Sequence, residues 1–270
     1  MTRPIRYVHG YTAHETRRLS EQADVLAELL HAGTGYPGGS RVLEVGCGVG
    51  AQTVHLIERS PGADIVAVDI STSSLLLASQ RITDRHPDAR VRWLRADARG
   101  LPFPTASFDH VFVCFLLEHL PDPLGALVEL HRVLRPGGSI TVIEGDHDSA
   151  LFHPRSRPAR SVIECLIALQ ELDGGDALIG RRLRPLLRRA GYHAVSVTPR
   201  TVYADSARPE LVQGFIEDTF VAMVESVRQR AIRSGMSTAP DWDAGIDGLR
   251  RTKQDDGSFH YVFFHATATR

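Results

Sequence analysis

Val42-Leu43-Glu44-Val45-Gly46-Cys47-Gly48-Val49-Gly50 is the stretch on which the reading of this chain turns. A short apolar run ends on an acid and then passes through three alternating glycines. Glycine at 46 and 48 lets the backbone turn sharply and approach a ligand where a Cβ would collide. The following Ala51-Gln52-Thr53-Val54-His55-Leu56-Ile57-Glu58 reads as the opening of a helix. Strand, glycine turn and helix in that order predict a nucleotide-type site at the carboxyl edge of a parallel sheet.

Two kinds of ligand fit such a turn. Gly46, Gly48 and Ala51 satisfy the dinucleotide spacing G-x-G-x-x-G/A, which uses a helix N-terminus to hold a pyrophosphate. Glu44 sets a negative charge beside that place. It hinders a pyrophosphate and helps S-adenosylmethionine (SAM), which has no phosphate and carries a sulfonium and an ammonium. Two more acids close apolar runs further on. Asp64-Ile65-Val66-Ala67-Val68-Asp69 ends in Asp69, about 20 residues past the turn, where an acid accepts hydrogen bonds from ribose hydroxyls. Val91-Arg92-Trp93-Leu94-Arg95-Ala96 leads to Asp97, suited to an adenine amino group, with the Ala98 amide for a ring nitrogen. Three acids closing three successive strands are more specific than the glycines alone.

At this point the chain resembles the class I SAM-dependent methyltransferases, in particular the small-molecule group with the E-x-G-x-G-x-G loop. The resemblance extends through Leu101-Pro102-Phe103-Pro104-Thr105-Ala106-Ser107-Phe108-Asp109-His110-Val111, similar to LPF-x-x-x-SFD-x-V. It continues in Leu117-Glu118-His119-Leu120-Pro121-Asp122 and in Leu130-His131-Arg132-Val133-Leu134-Arg135-Pro136-Gly137-Gly138. It covers roughly residues 40 to 145. It implies SAM as cofactor, held by Glu44, Gly46, Cys47, Gly48, Gly50, Asp69, Ile70, Asp97, Ala98 and Phe115. Cys47 is read as a small side chain against the cofactor. The N-terminal Tyr7-Val8-His9-Gly10-Tyr11 reads either as a lid or as an arm pinned by aromatic packing. In the first case Tyr11 is a cation–π neighbour of the sulfonium and Tyr7 a substrate neighbour.

The fold implied is α/β: a Rossmann-like, doubly wound sheet, mostly parallel, with an antiparallel C-terminal strand. Strands are expected near 41–46, 64–69, 91–96, 109–115 and 138–145, and helices near 50–59, 73–85 and 122–134. This alternation predicts right-handed crossovers. A helix over about 12–31 precedes the sheet. Beyond Glu144 the pattern predicts helices over 163–172 and 178–190, a strand over 194–198, two inserted helices over 208–233 and 241–253, and a last strand, Ser258 to Thr267. The whole chain reads as one domain: 1–39 a helical cap, 40–145 the cofactor core, 146–270 the substrate side.

Composition sets the class. At 270 residues, 43% hydrophobic and 23% charged, the chain matches a soluble globular protein. A net charge of −1 argues against nucleic acid as a partner, since phosphate binding needs a basic surface. No apolar run approaches a membrane span, and the N-terminus lacks the apolar core of a secretory signal. Three cysteines, Cys47, Cys114 and Cys165, show neither metal-ligand nor disulfide spacing. A cytoplasmic enzyme with a small-molecule substrate is the expectation, no metal is called for, and a homodimer is left open.

Methyl transfer from a sulfonium is an in-line displacement that depends first on positioning, and a base is needed only for a protonated acceptor. Candidate polar groups follow the fourth and fifth strands, because ligands of open α/β sheets bind at those carboxyl ends. They are Glu118 and His119, then Glu144, Asp146 and His147. His119, Glu144 and His147 are the catalytic candidates, Glu118 and Arg181 the substrate-binding ones. The alternative for His119 is a packing element, and for Glu144-Gly145-Asp146-His147-Asp148 a polar loop satisfying its own backbone. The leading expectation is methyl transfer from SAM to a small molecule, to O or N more than to C. The alternatives are a nicotinamide-dependent oxidoreductase on the same turn and a SAM-binding protein without catalysis.

Overall fold

Alternating apolar runs and amphipathic segments condense into seven strands: β1 (Arg41–Val45), β2 (Asp64–Asp69), β3 (Val91–Arg95), β4 (Phe108–Cys114), β5 (Leu134–His153), β6 (His193–Asp205) and β7 (Ser258–Thr269). The computed structural model describes residues 23–270, so the readings of Tyr7 and Tyr11 lie outside the described residues. One sheet holds the strands in the order β3-β2-β1-β4-β5-β7-β6. β1 to β5 pair in parallel, and β7 runs antiparallel between β5 and β6. The chain winds outward from β1 to β3 and then returns to β4, on the other side of β1. That reversal opens a crevice between the carboxyl ends of β1 and β4, the place where such sheets bind ligands.

Residues 23–31 form a helix, α1, and α2 (Ala51–Arg59), α3 (Thr72–Arg85), α4 (Pro123–Val133), α5 (Arg157–Leu172) and α6 (Leu183–Arg189) follow. Ser71 caps α3 by accepting from the Ser74 amide, and Asp122 caps α4 through the Gly125 amide. Such caps satisfy amides with no partner inside the helix. The period of two in the strands sorts side chains between two cores. On β7, Phe259, Tyr261 and Phe263 join one core with Phe215 and Phe220, while Ala266 and Ala268 join the other with Leu127 and Leu187.

Five boundaries depart from the sequence reading, the first being the helix expected over 178–190, which is a 3₁₀ turn, Ile179–Arg182, followed by α6. α5 starts six residues before the expected 163, because Ser156 accepts from the Ala159 amide and Pro158 fits a first turn. β6 runs to Asp205 because β7 offers a partner over that length. The expected helix over 208–233 is broken into α7 (Pro209–Leu211), a π-helix (Val212–Val221), α8 (Ala222–Ser226) and α9 (Arg228–Arg233). Within the π turn the Thr219 hydroxyl donates to the Gly214 carbonyl at 2.7 Å, and Gly214 lies where a Cβ would strike Val25 of α1. α10 (Ala239–Arg250) completes the insertion. The largest departure is β5, which continues as strand through Glu144–Asp148 and on to His153. Glu144, Gly145 and Asp146 pair with Phe264, Phe263 and Val262. The polar-loop reading is corrected here: long-range pairing with β7 supplies the backbone partners that a loop would have had to find locally.

Candidate active site

The glycine turn holds its shape through left-handed backbone, with φ of 76° at Gly46, 52° at Gly48 and 75° at Gly50, a region other residues enter only at a cost. A Cβ on Gly46 would lie 2.9 Å from Leu116 Cδ1, so the turn packs against the segment after β4. At Gly48 a Cβ would meet no described atom within 4 Å, leaving room for a ligand to approach the backbone. Gly50 donates its amide to the Cys47 carbonyl at 2.9 Å and opens α2. The Cys47 thiol is buried, and burial pushes its pKa up.

Asp69, at the end of β2, ties two turns together. One oxygen accepts from the Gly48 amide at 2.9 Å and the other from the Ser71 amide at 2.8 Å. Burial raises its pKa, and the two amides act against that. Each oxygen keeps a further lone pair, so the carboxylate can hold the turn and still accept from a diol. Asp69→Ala is expected to weaken SAM binding by about 1.5–3 kcal/mol, the range of charge-assisted bonds. Unchanged affinity on titration would remove Asp69 from the cofactor site.

Glu44 is buried beneath the turn, where Thr53 of α2 donates its hydroxyl to Oε2 at 2.7 Å. Burial first, and the Asp69 charge after it, push Glu44 up to about 7 against the pull of Thr53. A cation brought to the turn would draw it back to the carboxylate. Ile70 follows Asp69 and is 38% exposed. Asp97 follows β3, but Arg99 occupies it. The guanidinium forks onto both carboxylate oxygens, at 3.0 and 2.6 Å, and the Arg99 amide adds a bond to Oδ1 at 2.9 Å. The arginine holds the Asp97 carboxyl below its usual range. Ala98 is buried beside it. The sequence reading missed Arg99, though its spacing of two from Asp97 was there to see, and missed Thr53, one turn into α2.

Across the crevice, β4 gives way to Phe115, whose φ is 54°, a strained setting for an aromatic residue. Its ring lies 5.4 Å from that of Phe263. A 3₁₀ turn, Leu117–His119, follows. It brings Glu118 between two histidines: His119 Nε2 is 3.6 Å from Oε1 and His147 Nε2 3.6 Å from Oε2. Gln170 Nε2 adds a bond to Oε2 at 3.2 Å. His147 Nδ1 is 2.7 Å from the hydroxyl of Tyr261, a residue the sequence reading did not single out. Tyr261 reaches that place because residue 145 is glycine: a Cβ on any other residue there would lie 2.4 Å from the phenol oxygen.

Glu144 is wholly buried, and its Oε1 accepts from the amides of Leu117 at 2.7 Å and Leu116 at 3.0 Å. Burial and the Glu118 carboxylate push its pKa well up. Arg181 forks onto the buried Asp146 at 2.5 and 2.8 Å and reaches Asp148 at 3.2 Å. The structure thus gathers Glu118, His119, Glu144 and His147 into one cluster, and gives Arg181 an internal partner. Among the described residues no group of His, Cys, Asp and Glu has metal-binding geometry.

An α/β sheet with a crevice at its switch point, a glycine turn, and acids at or just past the ends of β1, β2 and β3 form the arrangement of a nucleotide-type site. Residues 43–142 match the family described as a methyltransferase domain. Demethylmenaquinone methyltransferase of Thermus thermophilus is 40% identical over 104 residues, covering 38% of this chain and 46% of that protein. The 27-O-demethylrifamycin SV methyltransferase of Amycolatopsis mediterranei is 33% identical over 134 residues, covering 50% and 49%. The chain thus spans about half the length of these curated relatives. Among solved structures, the phosphoethanolamine N-methyltransferase 2 of Haemonchus contortus, in complex with phosphomonomethylethanolamine and S-adenosylhomocysteine, has a TM-score of 0.61 at 18% identity. That alignment covers 100% of this chain and 61% of that one. Over residues 43–142 the chain is thus similar to methyltransferase domains, and it shares its fold with a solved methyltransferase that holds S-adenosylhomocysteine.

Proposed function

We propose that the protein transfers a methyl group from SAM to a small-molecule acceptor, at oxygen or nitrogen more than at carbon. The observation that carries this reading is the glycine turn, held open at Gly48, bonded to Asp69 and backed by Glu44 rather than by a basic residue. SAM supplies the electrophilic methyl. Gly46, Gly48, Gly50 and Asp69 hold the nucleoside portion, Glu44 answers the positive charge of the ligand, and residues 40–145 form the cofactor half. Residues 146–270 shape the acceptor side. The test is titration of the purified protein with SAM, S-adenosylhomocysteine and NADH in parallel. Binding of the first two without NADH supports the reading, and binding of NADH alone overturns it.

His147 is the base in this proposal, oriented through Nδ1 by Tyr261 and flanked by Glu118. A histidine so held presents Nε2 as a proton acceptor for general-base work. His147→Ala is therefore expected to lower turnover by about 10²-fold or more while leaving SAM affinity close to that of the wild type. Equal loss of both would make His147 a packing residue. Residence in the cytoplasm is part of the proposal and accords with three buried free thiols, Cys47, Cys114 and Cys165. No helix among the described residues is long and apolar enough to cross a membrane. Sedimentation would decide between a monomer and a homodimer.

A further inference from the structure

Segment 115–119 touches both halves of the site. Leu116 packs on Gly46 of the cofactor turn. Two residues on, Glu118 carries its carboxylate to His119 and His147. The segment leaves β4 through the left-handed Phe115, a conformation that must be held by its surroundings. Glu144 is placed to hold it: from the neighbouring strand, one oxygen accepts two successive amides, Leu116 and Leu117. Its other oxygen is buried and has no hydrogen-bond partner among the described residues. A carboxylate in that setting leaves a charge unanswered, whereas a carboxylic acid does not.

We propose that Glu144 is a positioning residue and not a base: it latches the turn after β4, and through Leu116 on Gly46 it couples the acceptor-side cluster to the cofactor turn. The inference rests on the SAM-binding reading above. Burial and the Glu118 charge favour the protonated acid, so the latch works without ionising. A glutamine in its place keeps a carbonyl oxygen for both amides, and an alanine leaves them without an acceptor.

The experiment is titration of S-adenosylhomocysteine into the wild type, Glu144→Gln, Glu144→Ala, Leu116→Ala and the Glu144→Ala/Leu116→Ala double variant at pH 6, 7 and 8, with thermal unfolding of each. Glu144→Ala, which takes the acceptor from two amides, and Leu116→Ala, which removes the apolar contact on Gly46, are each expected to lose about tenfold in affinity. The double variant should lose less than the product of the two, as coupled residues do. Glu144→Gln should rescue affinity to within about twofold of the wild type, with the same pH dependence. If Glu144→Ala does not fold, Leu116→Ala and Glu144→Gln decide. Wild-type affinity in Leu116→Ala, losses that multiply, or a Glu144→Gln variant as weak as the alanine one would overturn the latch. Failure of the wild type itself to bind S-adenosylhomocysteine would instead overturn the cofactor reading.

Discussion

Glu44→Gln is expected to make the ligand-free protein more stable at pH 8, while weakening its hold on SAM. The Glu44 carboxyl is pushed from an ordinary 4.5 to about 7, chiefly by burial. An acid raised in the folded state is charged at pH 8 at the expense of the fold. The shift corresponds to about 3 kcal/mol. The cost is complete above pH 7 and fades towards pH 4.5, where folded and unfolded chains are both protonated. Glutamine has nearly the same shape, carries no charge, and keeps a carbonyl oxygen for the Thr53 hydroxyl. Urea denaturation at pH 5 and pH 8 reads the effect: the variant should match the wild type at pH 5 and exceed it at pH 8. SAM titration should show the opposite ranking, because the charge that burdens the empty fold is the one that answers a cation. A variant that is no more stable at pH 8 would mean that Glu44 carries no strained charge. Such a trade of stability for function is common where a site must hold a buried charge.

His31→Gln is expected to flatten the loss of stability in acid. His31 is wholly buried at the end of α1. Its ring lies 5.5 Å from that of Phe112, and its Nε2 is 2.7 Å from Gln52 Oε1. Burial lowers its pKa from 6.5 to about 4. As pH falls from 6.5 to 4, the unfolded chain takes up a proton that the folded one refuses, so stability drops with pH by about 3 kcal/mol. Glutamine does not titrate and can still reach Gln52. The stability difference between variant and wild type should therefore move by that amount in the variant's favour between pH 7 and pH 4. His265, beside Thr34 at 3.2 Å, is lowered to about 4 in the same way, and Glu44 acts with the opposite sign over the same interval. The comparison is for that reason between the two proteins' slopes, not within the wild type's alone. Parallel pH profiles would show that His31 is not the group that senses the acid.

How much of this was legible beforehand depended on distance along the chain. Glu44, Gly46 and Gly48 lie within five residues, and their chemistry is local: a backbone turn and an acid at a strand end. Asp69 and Asp97 close strands that the run of β-branched and apolar residues makes plain. Arg99 is equally local to Asp97, yet its fork onto that carboxylate went unread. The cluster on the other side of the crevice is different in kind. His147 meets Tyr261 across 114 residues, and Arg181 meets Asp146 across 35. No spacing rule relates such pairs.

The sequence by itself determined the alternation of strands and helices, the glycine turn and the acids beside it, because period, turn chemistry and strand ends are properties of neighbouring residues. Tertiary structure alone decided what those acids and their companions do. Pairing with β7 turned a polar segment into a buried strand. Burial shifted Glu44 and Glu144 towards the neutral acid, and seated Glu144 on two amides from the neighbouring strand end. These are effects of desolvation and of contacts across the sheet, and both come into being only when the chain closes on itself.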